Sequence, residues 1–167
     1  MNTIATAVAD AGSDVIHQVD GASEDTGRDW SQYVTFTVDG GLYGIEITKV
    51  REIKGWVEPT ELPNAPFSMR GVLNLRGIVV PIFDLRCQFG RGHTEVGRSH
   101  VVVIVALGER LIGILVDAVS DILTLEPGEI LPVPATDGGV DQSFVSGLVS
   151  QNERMVTLLE LEKLLNF

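Results

Sequence analysis

Cysteine, histidine and basic residues are all scarce in this sequence of 167 residues. Cys87 is the only cysteine, so no internal disulfide can form, and a small secreted fold held by disulfides is excluded. Twelve Lys and Arg face 23 Asp and Glu, which gives a formal net charge of -11. Proteins that bind nucleic acid carry a basic surface that neutralises phosphates. We therefore exclude DNA and RNA as main partners.

Long apolar runs are also lacking. The longest run, Val101 to Leu107, has seven residues, whereas roughly 20 are needed to span a bilayer. Residues 1–29 carry six acidic side chains and one basic side chain, without the basic and apolar regions of a signal peptide. We expect residues 1–29 to form an acidic, disordered leader. We also expect a cytoplasmic protein with no direct membrane insertion.

Residues with catalytic or metal-binding chemistry are few and scattered. His17 lies in the acidic leader, and His93 and His100 flank a loop rich in Gly and Arg, so no metal-ligand spacing appears. Cys87 has no histidine beside it, which favours a small buried residue over a nucleophile. Gly90–His93 resembles part of a phosphate-binding loop, but no Lys-Ser or Lys-Thr follows it. The sequence therefore predicts no catalytic residue, no metal site and no cofactor.

Short β-branched runs, separated by glycine and proline, begin at Tyr33. From Val34 to Val38 apolar and polar side chains alternate, which predicts a half-buried strand. Asp39-Gly40-Gly41 has turn chemistry, so residues 33–47 are predicted to form a β-hairpin. Residues 101–116 repeat this plan with more apolar strands, which we expect to be covered on both faces.

The second half of the sequence repeats the pattern of the first. Residues 33–53 align without a gap on residues 102–122, with six identities. Later segments, including Val80–Leu85, align again on residues 76 positions further along. Chance similarity between two apolar hairpins is the alternative explanation, but agreement over both hairpins favours duplication.

Duplication predicts two small β units, at about residues 33–98 and 99–162. Each unit is too small to bury a good core alone, so we expect the two to pack on each other with a groove between them. Helical signal is sparse. Residues 157–166 have the apolar spacing of a short C-terminal helix, and a strand that turns into a helix near Glu160 fits both patterns. The predicted fold class is all-β with short helices.

The most specific stretch is Gly71–Arg86, with the sequence GVLNLRGIVVPIFDLR. Asn74–Gly77 is predicted to form a turn between two apolar strands, with Gly77 at a positive φ. Pro81 is expected on an edge strand or at a bulge. By these rules alone, the stretch is a hairpin with a solvated arginine.

Several motifs in the same order resemble the CheW family, the coupling proteins of bacterial chemotaxis. They are YGIEI at 43–47, VREI at 50–53, NLRG at 74–77, VPIFDLR at 80–86 and GILVDAVSDIL at 113–123. The resemblance covers about residues 33–165. It implies one CheW-like domain over residues 30–167, made of two SH3-like five-stranded β-barrels around a shared core. It also implies that the protein catalyses nothing.

The resemblance implies two partners as well. One is the cytoplasmic tip of a methyl-accepting chemoreceptor, and the other is the regulatory domain of the histidine kinase CheA. A protein of this kind is a scaffold at receptor arrays on the inner face of the membrane, through which receptor state controls kinase autophosphorylation.

A receptor-binding surface is implied position by position. Its members are Val50, Glu52, Gly71, Arg76, Val101, Val119 and Ile122. The four apolar β-branched residues are expected to line a groove for the receptor tip, with core packing as an equal alternative for each valine. Glu52 and Arg76 are predicted to form an ion pair that holds the NLRG turn. Two independent solvated charges are the alternative.

Three other functions stay open. The first is an adaptor of the same fold in another receptor–kinase array, such as one that controls surface motility. The second is a β-barrel that binds an apolar ligand, which predicts a closed cavity and thermal stabilisation by small molecules. The third is an enzyme that uses the loop from Gly90 to His100.

Overall fold

The computed structural model describes residues 30–134 and 143–165, and these residues form ten strands, a short 3₁₀ turn and two short helices. The strands are β1 Ser31–Val38, β2 Gly41–Glu46, β3 Val50–Gly55, β4 Met69–Leu75, β5 Ile78–Asp84, β6 Val101–Leu107, β7 Arg110–Val116, β8 Ala118–Leu125, β9 Val145–Gln151 and β10 Arg154–Leu159. The 3₁₀ turn Ile47–Lys49 joins β2 to β3, and helices α1 Leu85–Gln88 and α2 Leu161–Leu164 follow β5 and β10. The predicted all-β class is confirmed, and the predicted leader at 1–29 lies outside the described residues.

The strands form two five-stranded sheets, with the orders β8-β1-β2-β10-β9 and β3-β6-β7-β5-β4. Only the contacts of β10 with β2 and of β5 with β7 are parallel among the described strand pairs. Each sheet combines the first hairpin of one half with the last three strands of the other half. The strands are therefore not divided at residue 98, as units at 33–98 and 99–162 would require. The two halves exchange strands instead.

The two predicted hairpins are both present. The first, predicted at residues 33–47, consists of β1 and β2 at residues 31–46, which are joined by Asp39 and Gly40 at φ values of 49° and 81°. Such positive values suit the two-residue turns that match the twist of paired strands. Residues 101–116 contain β6 and β7, which lie inside their sheet and are buried on both faces, as their apolar sequence predicts.

One apolar core is shared by both sheets. Phe36 and Ile45 enter it from β1 and β2, while Val103 and Ile114 enter it from β6 and β7. Leu161 of α2 is fully buried in the same cluster. The shared core that the family resemblance implies is thus observed.

Strand β6 shows how a single strand serves two cores. Val101, Val103 and Val105 belong to the shared core, whereas Val102 and Ile104 belong to a separate cluster within the sheet of β6. Successive side chains of a strand point to opposite faces. One face of β6 therefore fills the interior of its own barrel, and the other face joins the two barrels.

Pro81 lies in an interior strand, not on the edge strand or bulge expected from the sequence. Strand β5 lies between β7 and β4, and Pro81 is opposite Val72 of β4. The backbone N–H and C=O of Val72 bond Thr60 on the far side of β4, so this is a pair without hydrogen bonds between β4 and β5. The pairing of β5 with β7 begins only at Ile82. The missing N–H of Pro81 therefore interrupts no ladder.

The change from strand to helix near Glu160 is confirmed. Strand β10 ends at Leu159, and α2 begins at Leu161. The helix is shorter than the predicted range 157–166, whose last residue lies outside the described residues. Thr157 and Leu158 remain in the strand because β10 pairs there with both β2 and β9.

A buried carboxylate fixes the end of β5. The side chain of Asp84 is fully buried and accepts hydrogen bonds from the backbone N and Oγ1 of Thr94, at 2.7 and 2.6 Å. It also accepts from the backbone N of Cys87 at 3.3 Å and lies 3.4 Å from a guanidinium nitrogen of Arg70. Cys87 is itself buried, as predicted, and desolvation raises the pKa of its thiol. A charge removed from water is tolerated here because it is fully hydrogen-bonded.

We expect Asp84→Ala to lower the free energy of unfolding by about 3 kcal/mol, because it leaves the Arg70 charge and the Thr94 donors without their partner. Urea denaturation followed by circular dichroism measures this loss. Asp84→Asn keeps one acceptor oxygen and is expected to cost less. A loss below about 1 kcal/mol for the alanine variant would contradict this structural role.

An ion pair ties the first crossover between the sheets to the C-terminal helix. The ammonium of Lys49, in the 3₁₀ turn, lies 2.7 and 2.9 Å from the two carboxylate oxygens of Glu162 in α2. Partial burial acts to raise the pKa of Glu162, but the hydrogen bond from Lys49, helped by a backbone hydrogen bond and the Lys49 charge, outweighs it. The pKa of this carboxyl therefore lies below its ordinary value.

The Lys49–Glu162 pair makes a pH-dependent contribution to stability. A carboxyl with a lowered pKa stabilises the fold above its ordinary pKa and loses this effect as the pH falls through the folded-state value. We expect Glu162→Gln to destabilise the protein by less than about 1 kcal/mol near neutral pH, since the pair is partly exposed. At low pH the variant and the wild type should unfold alike. Glu153→Gln, at an exposed turn, is the control, and a difference that stays constant with pH would contradict the assignment.

Candidate partner-binding site

The NLRG motif forms the tight turn between β4 and β5. Arg76 and Gly77 have φ values of 51° and 87°, the combination of a two-residue hairpin turn of type I′. The side-chain oxygen of Asn74 accepts a hydrogen bond from the backbone N–H of Gly77 at 2.9 Å. The predicted turn and the positive φ of Gly77 are therefore confirmed. The left-handed conformation of Arg76 was not expected.

The predicted ion pair between Glu52 and Arg76 is present. A guanidinium nitrogen of Arg76 lies 3.0 Å from a carboxylate oxygen of Glu52. Glu52 is in β3 and Arg76 follows β4, and these strands are the two ends of the strand order of their sheet. The pair thus spans the seam, which we define as the boundary between the β4–β5 hairpin and the segment from β3 to Thr60.

Exposure decides what the Glu52–Arg76 pair can do. The Arg76 side chain is 78% exposed and the Glu52 side chain is 29% exposed. A pair this open to solvent contributes only about 0–1 kcal/mol to stability. Most of the guanidinium donors of Arg76 are consequently available to a partner, at the tip of a rigid hairpin.

Gly71 holds the seam together further along β4. Its φ is 140°, and a Cβ at this position would lie 2.4 Å from the carbonyl oxygen of Thr60. This close approach lets Thr60 and Val72 exchange two backbone hydrogen bonds of 2.9 and 2.8 Å. Gly71 itself is buried. Gly71, a member of the predicted receptor-binding set, therefore lies below the surface.

The expected apolar groove does not form from all four β-branched residues. Val101 and Val119 are only 2% and 7% exposed and belong to the shared core, so core packing accounts for both. Val50 in β3 is half-buried and packs against the same core, and Ile122 in β8 is also half-buried. Val50 and Ile122 lie on edge strands of different sheets.

Two exposed apolar side chains beside Arg76 were missed by the sequence reasoning. Ile78 and Val79 open β5 and are 51% and 65% exposed, whereas Val80 is fully buried. Because β5 pairs only with β4 along this part, no further strand covers these residues. The available signal was the run of three apolar residues directly after the turn. From the sequence alone, such a run predicts a buried strand.

The histidines of the suspected catalytic loop have structural partners. His93 stacks on the ring of Phe67 at a centroid distance of 4.2 Å, and its Nε2 lies 2.8 Å from the Phe67 carbonyl oxygen. Nδ1 of His100 accepts a hydrogen bond from the backbone N–H of Gly97 at 2.8 Å, and its Nε2 lies 3.4 Å from Asp117. No cluster of three or more His, Cys, Asp or Glu side chains that could hold a metal occurs within residues 30–134 and 143–165.

An ionic network joins the first hairpin to the α1 region. The Asp39 carboxylate contacts Arg86 at 3.2 Å and Arg91 at 3.1 Å. The Asp39 backbone N–H donates to the carboxylate of Asp117 at 2.8 Å. Asp39 follows β1 of one sheet, while Arg86 follows β5 of the other sheet. These contacts fix the two sheets relative to each other.

An apolar cavity of about 280 Å³ lies beside β2, β9 and β10. Tyr43, Phe89, Phe144 and Leu148 are among the residues that line it. The cavity is open to solvent, so it is not the closed cavity that a ligand-binding barrel predicts.

No helix of the described residues is both long and apolar enough to cross a bilayer.

Gly71→Ala tests the seam. We expect the free energy of unfolding to fall by about 2 kcal/mol or more, because the new methyl group clashes with the Thr60 carbonyl and the φ is unfavourable for alanine. Gly40→Ala is the matched control, since its φ is 81° but nothing lies within 4 Å of the new Cβ. Thermal unfolding compares the two, and an equal loss would show that the Thr60 contact has no importance.

Comparisons with known proteins agree with one another. The family described as CheW-like domain matches residues 32–167. The chain is 39% identical over 135 residues to the chemotaxis protein CheW of Klebsiella aerogenes, covering 81% of each chain. It is 37% identical to the probable chemotaxis protein CheW of Rhizobium etli, covering 80% of this chain and 86% of the relative. The crystal structure of the scaffolding protein TtCheW from Thermoanaerobacter tengcongensis superposes with a TM-score of 0.73 at 30% identity, covering 80% of this chain and 86% of that one.

Proposed function

Because the chain belongs to the CheW family, we propose that it is a scaffold that couples methyl-accepting chemoreceptors to the histidine kinase CheA in chemotaxis signalling. The family and its solved scaffolding member point to an adaptor without catalysis. A scaffold of this kind needs only two binding surfaces that can be occupied together. It transfers no group and needs no cofactor.

The exposed guanidinium of Arg76 is the observation that carries this proposal. The turn fixes the backbone of Arg76 at the hairpin tip, and Glu52 lies 3.0 Å from its guanidinium. A preorganised arginine loses little side-chain entropy on binding, and arginines are frequent among the residues that dominate interface energies. Ile78 and Val79 provide exposed apolar area beside it. A charged anchor with an apolar neighbour suits a helical partner surface.

We propose different roles for the members of the receptor-binding set. Glu52 and Arg76 contact the receptor tip directly, and the half-buried Val50 and Ile122 contribute their exposed parts. Gly71 acts from below by keeping the seam closed. The two core valines, Val101 and Val119, shape the surface through packing, since their side chains are inaccessible.

The regulatory domain of CheA is the second proposed partner. In the proposed assembly the protein is cytoplasmic and lies in receptor arrays on the inner face of the membrane. Receptor state then reaches the kinase through a scaffold whose two sheets are held together by the shared core and by the ionic network around Asp39.

Co-sedimentation with a receptor signalling domain and CheA from the same cell tests the proposal. We expect Arg76→Ala to weaken receptor-dependent pelleting about tenfold, because it removes a central contact, while the melting temperature changes little. Arg154→Ala is the matched control, because Arg154 is exposed next to the corresponding turn of the duplicated hairpin. Folded wild-type protein that associates with neither partner would refute the coupling role.

Charge reversal tests the pair itself. Arg76→Glu and Glu52→Arg are each expected to weaken receptor binding, and the double reversal is expected to restore part of it if the pair positions the turn. Failure of the double variant to recover any binding would show that the two charges act separately.

A further inference from the structure

Four hairpins of the described chain have two-residue turns, and the first residue of each turn has a positive φ. These first residues are Asp39, Arg76, Gly108 and Asn152. Glycine adopts the left-handed region freely, and Asn and Asp do so with a small penalty. Arginine has no such preference. Arg76 is therefore the strained choice among the four.

The corresponding hairpin of the second half has a residue suited to the left-handed region at the first turn position, and Glu153 follows it at a φ of 66°. Arg76 and Asn152 lie 76 positions apart, which is the offset that relates the two halves of the sequence here. Both residues open the turn of a hairpin, with φ values of 51° and 50°. One copy thus has the residue suited to the conformation, and the other copy has an arginine. The exposed contact with Glu52 is too weak to compensate.

Asn74 supplies the restraint that the strained turn needs. Its side-chain oxygen bonds the backbone N–H of Gly77, so the hydrogen bond closes a ring around Arg76. Asn74 is exposed, and its side chain is therefore not required for core packing. A side chain that bonds the backbone three residues on is a local device for fixing a turn.

We propose that Asn74 is a positioning residue, which keeps Arg76 in the left-handed conformation with its guanidinium at Glu52, and that the chain retains Arg76 there at a cost in stability. Strained backbone conformations cluster at functional sites. The inference rests on the proposed receptor binding and deepens it. It names a residue outside the expected receptor-binding set and gives it a role through Arg76.

Two substitutions at Arg76 measure the strain. Arg76→Ala and Arg76→Asn both remove the guanidinium and its contact with Glu52, but only asparagine suits the left-handed conformation. We expect the asparagine variant to melt about 2–4 °C above the alanine variant and both to lose receptor binding to the same degree. An alanine variant that is equally or more stable would show that Arg76 is not strained.

Three variants measure the positioning. Asn74→Ala is expected to weaken receptor binding about fivefold, which corresponds to the loss of one hydrogen bond. Asn74→Asp keeps an acceptor oxygen at the same place and is expected to bind the receptor as the wild type does. In the Arg76→Ala background Asn74→Ala is expected to have no further effect, which a merely structural role would not produce. Ser150→Ala, 76 positions further along, is the control.

The outcomes separate this inference from the function on which it rests. If wild-type protein does not bind the receptor domain, the proposed function fails. If wild-type protein binds and Asn74→Ala binds equally well, the positioning role is wrong. The role is also wrong if Asn74→Ala causes the same loss with and without Arg76, because Asn74 then acts independently of it.

Discussion

The shared core between the two sheets is the constraint on which the rest of the structure depends. Each half of the chain has too little apolar surface to enclose a core alone. Residues of β1 and β2 therefore pack against residues of β6 and β7, and α2 covers the same cluster. The Lys49–Glu162 pair lies at the crossover from β2 to β3, and the network at Asp39 links the β1–β2 turn to Asp117 at the crossover from β7 to β8.

The seam shows how a packed scaffold can still present a binding surface. The Thr60–Val72 hydrogen bonds close it at one level, and the Glu52–Arg76 pair spans it at the hairpin tip. The first contact is possible only because Gly71 has no side chain. The second contact contributes little to folding, which leaves its charges free to serve recognition. Stability and recognition are thus divided between neighbouring parts of one hairpin.

Local sequence patterns predicted the local structure well. Alternation and turn chemistry, which depend on neighbouring residues, predict the hairpins at 33–47 and 101–116 and the turn at Gly77. The pairing of Glu52 with Arg76 was predicted from the family motifs. The exchange of strands between halves was not foreseen, since periodicity shows that a strand has a buried face but not which sheet it joins. The same limit explains the burial of Val101 and the exposure of Val79.

The exchange of strands has a consequence for how such a fold can be assembled. Each sheet joins a hairpin from one half to three strands from the other half, and the arrangement is reciprocal. Two separate copies of a single half could therefore build the same pair of sheets as a symmetric dimer with swapped elements. In the present chain, the connection between β5 and β6 makes that association intramolecular, so assembly no longer depends on protein concentration. Within one chain the two corresponding turns can also carry different residues, here Arg76 and Asn152.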